Sequence, residues 1–116
     1  SAFIEDVEAR GLSEKILLVC CGEMGRNPVV NARGGRDHWG NLAPLILYGG
    51  GLKTGQAIGR SDRRGGEPDG SAIQMENLTA TILHTLLDLG EVRLMNGLSN
   101  ELLTAMTGPL PIRELV

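Results

Sequence analysis

Two glycine-framed stretches carry most of the side chains able to do chemistry. They are Glu23-Met24-Gly25-Arg26-Asn27-Pro28 and Gly34-Gly35-Arg36-Asp37-His38-Trp39-Gly40. A neutral imidazole is the commonest metal ligand, and His38 sits beside a carboxylate, Asp37, with a second carboxylate, Glu23, in the neighbouring stretch. Arg26 and Arg36 bring guanidinium forks that fit the oxygens of a phosphoryl or sulfuryl group bidentately. This grouping suits binding of an anion next to a divalent cation, which polarises the ester oxygen and lowers the pKa of a bound nucleophile. The alternative is structural: a loop histidine is often held by hydrogen bonds, and His38 and Glu23 then only stitch the loop.

The elements that must position these residues follow from the apolar pattern. Ile16 to Cys21 is an unbroken apolar run, too short for a helix and continuous rather than alternating, as in a parallel strand covered on both faces. Ala43 to Tyr48 reads as a second strand beside it, ended by Gly49-Gly50-Gly51. Glu23 then leaves the end of one buried strand and His38 precedes the next. With strands about 4.8 Å apart, Glu23, Arg26, Asp37 and His38 are expected to converge on one pocket at the carboxyl edge of the sheet. The long aperiodic loop from Gly22 to Asn41 is where function is expected.

Residues 2–10 place Phe3 and Val7 at helical spacing, and Gly11 stands where a helix-ending glycine belongs. Gln74 to Leu89 predicts a longer helix with a stripe of Met75, Leu78, Ile82, Leu86 and Leu89, closed by Gly90. Gln56-Ala57-Ile58 predicts a short strand, residues 60–72 a polar loop, and Leu102-Leu103 one weak helical turn. Pro109 and Pro111 favour an extended closing segment. Cys20 and Cys21 are adjacent on a strand and point to opposite faces, so they neither chelate one metal together nor pair as an ordinary disulfide. Buried thiols are expected.

Several other signals reduce to ordinary structure. Lys53-Thr54-Gly55 matches one element of the serine β-lactamase pattern, but the Ser-x-x-Lys and Ser-Asp-Asn elements are missing, and the triplet reads as a turn. Gly49-Gly50-Gly51 fits neither nucleotide-binding glycine pattern. His84 lies opposite the apolar stripe, one turn before Asp88, as in an exposed ion pair. The 116 residues include 41% hydrophobic and 22% charged residues, the balance of a globular domain. A net charge of −3 gives no footprint for nucleic acid or an anionic membrane, so neither is an expected partner. The chain opens in an acidic helical stretch, so an export signal would lie elsewhere and the compartment stays open. Gly is 17 of 116 while Phe, Tyr and Trp total three, which predicts much ordered loop and a core of Leu, Ile, Val and Ala.

Taken together, Gly22-Glu23-Met24-Gly25-Arg26-Asn27-Pro28, Gly35-Arg36-Asp37-His38-Trp39 and Gly49-Gly50-Gly51 with Gly55 and Gly59 resemble a known family. It is the sulfatase-like domain-of-unknown-function family fifteen-oh-one, and the resemblance runs from about Ile16 to Val116. As a branch of the alkaline phosphatase and sulfatase superfamily, the family implies an α/β fold with a mostly parallel sheet flanked by helices. Residues 1–116 would be one partial domain, the carboxyl-terminal segment of that fold. The resemblance further implies that His38 matches a late metal-ligating histidine and that Glu23 falls where an Asp-His pair ends a strand. Met24 replaces the histidine of that pair. The implied set is a divalent metal (zinc, manganese or calcium) at His38, Glu23 and Asp37, a small anionic ester at Arg26 and Arg36, and a nucleophile supplied by an amino-terminal part. The segment alone is then expected to be inactive and to meet that missing part or a second copy through exposed apolar surface. A non-catalytic α/β binding or structural module is the competing reading.

Overall fold

A computed structural model describes residues 1–116. Helix α1 covers Ala2–Ala9 and ends as its sequence requires. Gly11 takes φ +64, and the amides of Gly11 and Leu12 turn back onto the carbonyls of Glu8 and Val7 at 2.9 Å each. These two bonds form a Schellman motif, which a residue with a Cβ would strain. Val7 is buried from this helix, while Arg10 reaches back to Asp6 at 2.9 Å on the exposed side.

Strand β1, Leu17–Cys21, pairs with β4, Leu45–Gly49, as the two apolar runs predict. Between them in sequence, β2 (Gly25–Arg26) pairs antiparallel with β3 (His38–Trp39). Helices and strands are mixed, in keeping with the α/β expectation. The chain itself, however, builds two separate two-stranded sheets rather than an extended, mostly parallel one. This also corrects the expectation of buried thiols: with one partner strand, β1 is only half-covered, and Cys20 and Cys21 are both exposed.

The chain divides into two compact units, each described by itself. The first comprises Ser1–Leu17, Tyr48–Gln56 and Ile73–Val116. It contains every buried apolar side chain: Val7, Leu78, Ala80, Leu89, Val92, Ile112 and Leu115. Its helices are α2 (Met75–Leu86), α3 (Leu89–Leu94) and α4 (Asn100–Thr107). The single helix expected over Gln74–Leu89 is therefore two. Leu87 is extended at φ −131, ψ 144, and the Asp88 carboxylate accepts from the amides of Gly90 and Glu91 at 2.8 and 3.1 Å. Asp88 thus caps α3 rather than pairing with His84, and Gly90 opens a helix instead of closing one. The expected stripe is also displaced, since Met75 and Leu86 are 67% and 64% exposed, and the buried face is centred on Leu78, Ala80 and Thr81.

Thr81 links this face to the end of the chain. Its hydroxyl donates to the Asn77 carbonyl at 2.7 Å and accepts from the Ile112 amide at 2.8 Å, so a fully buried polar group is satisfied twice. The closing segment is not extended throughout as its prolines predict: it runs without helix or strand through Leu110–Ile112 and then turns back, with the Leu115 amide donating to the Ile112 carbonyl at 3.0 Å. It buries Ile112 and Leu115 and is held from the other side by residues 53–56. The Lys53 amide donates to the Leu115 carbonyl at 2.9 Å, and the Gln56 side chain donates to the Glu114 carbonyl at 2.9 Å. Gln56-Ala57-Ile58 is accordingly no strand. Around Leu102, the expected weak turn is a full helix, because Ser99 caps it by accepting from the Leu102 amide at 3.2 Å. No helix is long and apolar enough to cross a membrane.

A candidate anion-binding face on an arginine-rich unit

The second unit comprises Leu18–Leu47 and Ala57–Ala72 and holds both chemistry-bearing stretches. Six of the chain's arginines lie here against five acidic residues, a net charge of +1. The first unit carries five basic and nine acidic residues, a net of −4. The acidic chain therefore contains a locally positive unit. That unit buries no apolar side chain; its only buried residues are Gly25 and Gly66. Backbone contact and hydrogen bonds must hold it instead.

The β2–β3 ribbon sets the arrangement. Its register places Gly25 opposite Trp39 and Arg26 opposite His38. Directly opposed residues put their side chains on one face with Cβ atoms about 5 Å apart, so the Arg26 guanidinium and the His38 imidazole share an exposed surface. Neither side chain is held by a hydrogen bond or ion pair within this unit. Gly25 is needed for the approach: a Cβ there would stand 1.8 Å from the Leu42 carbonyl oxygen.

The other three candidates have different surroundings. Arg36 donates Nη1 to the carbonyls of Asn27, at 2.9 Å, and Pro28, so part of its guanidinium fastens the loop. The backbone carbonyl of Asp37 accepts from the Asn27 amide at 2.8 Å, and its carboxylate accepts from the Asn31 side chain at 2.9 Å. Asn31 in turn accepts from the amides of Arg33 and Gly35 at 3.0 and 3.1 Å, which closes the turn between the ribbon strands. Glu23 is exposed in a bend ahead of β2, outside these networks. His38, Glu23 and Asp37 do not assemble into a ligand set, and no group of three or more His, Cys, Asp or Glu side chains is placed to hold a metal ion.

The polar loop expected over residues 60–72 also joins the ribbon. Residues 60–69 fold back as a hairpin, bridged between Ser61 and Pro68 and tied by an Arg60–Asp69 ion pair at 2.8 Å. Its organiser is Asp62, whose Oδ1 accepts from the amides of Gly66 and Glu67 at 2.8 and 3.3 Å. Those amides, the Gly66 one foremost, hold the Asp62 carboxyl below the usual carboxylate range. The hairpin docks on the ribbon where Trp39 Nε1 donates to the Gly66 carbonyl at 2.7 Å and Asn41 donates to Glu67 at 2.5 Å. The sequence signal was the spacing Asp62 to Gly65-Gly66 before Pro68, a turn with its own side-chain acceptor.

His38 and Trp39 are consecutive on a strand and so point to opposite faces. Trp39 therefore stands on the face away from the imidazole. It lines a separate cavity with the docked hairpin, while Arg26 and His38 occupy the other side of the ribbon. The family described as "Protein of unknown function (DUF1501)" matches residues 1–103, taking in α1 and both loops of this unit and leaving out the closing segment. No curated protein matches the chain. Nor does any solved structure.

Proposed function

This chain belongs to the DUF1501 family, and on that premise we propose that it is the carboxyl-terminal segment of a sulfatase-like or alkaline-phosphatase-like hydrolase, inactive alone. The observation carrying this reading is the Arg26–His38 pair, opposed across the β2–β3 ribbon and left exposed on a positively charged unit. A guanidinium fork beside an imidazole suits an anionic ester: the arginine takes two oxygens, and the imidazole donates to a third or moves a proton at the leaving oxygen. The chain's own residues do not complete a metal site, so the proposed role runs through arginine and imidazole alone. The remaining barrier belongs to a positioned nucleophile, which lies outside this pair.

A second reading, a non-catalytic binding or structural module, is favoured by Arg36 and Asp37, whose side chains are committed to loop carbonyls and to Asn31. The two readings differ at His38. In the chain as it stands, the ring resonances of His38 are expected to shift saturably with phosphate or sulfate. Those of His84, on α2 in the other unit, should not. The shift should disappear in Arg26→Ala. Aryl phosphate and aryl sulfate should not be turned over. An imidazole that ignores phosphate, sulfate, zinc, manganese and calcium would leave the structural module as the better reading. Turnover abolished by His38→Ala would overturn inactivity.

A further inference from the structure

The cavity on the Trp39 side of the ribbon has a volume of about 520 Å³, within the range of small-molecule sites. Its apolar lining is Trp39, Pro28 and Val29; its polar lining mixes donors and acceptors. Asp62 uses Oδ1 on the hairpin amides and Glu67 uses Oε1 on Asn41, so each keeps its second carboxylate oxygen as an acceptor. Asn27 accepts from the Val29 amide through its oxygen, which leaves its NH₂ group as a donor. Arg64, at the hairpin tip, is exposed and forms no ion pair within the unit.

This mixture discriminates between ligand classes. An anion only accepts and would meet two carboxylates; an ammonium only donates and would meet Arg64. A neutral hydroxylated ring both donates and accepts, and its C–H face matches an indole flanked by proline and valine. The hairpin is fixed before any ligand arrives, by the Trp39–Gly66 and Asn41–Glu67 bonds, so little ordering is lost on binding. We propose that the cavity between the β2–β3 ribbon and the 60–69 hairpin binds a neutral saccharide ring stacked against Trp39. The site lies on the opposite face of the ribbon from Arg26 and His38 and does not rest on the hydrolase reading.

Trp39 is the only tryptophan and lines this cavity, so its emission responds to a ring stacked there. Titrating the 116-residue chain with cellobiose, maltose and lactose should give a saturable emission change with at least one of them, at a dissociation constant on the order of millimolar. Arg64→Ala should weaken that binding about five-fold by removing one charged hydrogen bond. Val29→Arg, placed at an exposed lining position so that folding is unaffected, should abolish it by filling the cavity. Emission unchanged by all three disaccharides would overturn the proposal. So would a response confined to sulfate or to tetramethylammonium, or binding that persists equally in both variants.

Discussion

One unit of this protein is built from a core and the other from hydrogen bonds. The first packs Val7, Leu78, Leu89, Val92, Ile112 and Leu115 away from water and is acidic. The second buries no apolar side chain, carries two-thirds of the arginines, and is held by Asn31, Arg36, Asp62 and Trp39 bonding to backbone. Stability and recognition therefore reside in different places. Apolar burial at roughly 25 cal/mol per Å² dominates folding, so the first unit carries the stability. Loops fixed by polar contacts expose side chains in set positions, so the second unit carries the candidate chemistry.

Truncating the core of the first unit should have the largest effect. Leu78→Ala should cost about 2–5 kcal/mol in denaturant unfolding, through lost transfer energy and a residual cavity. Val30→Ala in the second unit, at an exposed position, should stay within about 0.5 kcal/mol. Comparable losses would mean that the second unit has a core of its own.

Gly25→Ala tests the polar unit by its weakest tolerance. The new Cβ meets the Leu42 carbonyl, and the cost should be about 1–3 kcal/mol, from overpacking against backbone. Hydrogen exchange should quicken in the β2–β3 ribbon and leave the α2 amides protected; uniform loss across both units would erase the distinction. Thr81→Val keeps the shape of the side chain but strands the Ile112 amide in the core. A loss of about 1–3 kcal/mol, read by thermal unfolding, should accompany faster exchange at Ile112.

The smallest effect is electrostatic. The Asp62 carboxyl is held below its ordinary value of 3.8 by hairpin amides, so its contribution is fully present above that value and is lost as pH falls through the lowered one. Amide protection of residues 62–67 should therefore be flat from neutral pH down to about 4 and decline below it. Asp62→Asn should remove that acid dependence. A decline beginning near pH 6 would assign the hairpin's stability to another group.

Local signals were legible in the chain wherever the rule behind them is local. Gly11 ended α1 because a left-handed residue is needed one position past the cap, and the apolar runs located β1 and β4. Asp88 reads as a partner for His84 and is instead the cap of α3, because an acid one turn after a histidine and an acid before a helix look alike in sequence. The 60–69 hairpin reads in the sequence only as part of a polar loop over 60–72, and its docking on Trp39 depends on residues far away along the chain.

From the sequence come a glycine-rich chain of mixed helix and strand, membership of DUF1501, and Arg26 and Arg36 within twelve residues of His38. Capping, turns and apolar periodicity act within a few residues, so they can be read in order along the chain. Only the tertiary structure decided that Arg26 opposes His38, that Arg36 and Asp37 are drawn into the loop's own bonds, and that Trp39 turns to the other face. Strand register carries the reason: a shift of one residue exchanges the two faces of a ribbon, and the observed register places Gly25 where a side chain would meet the Leu42 carbonyl.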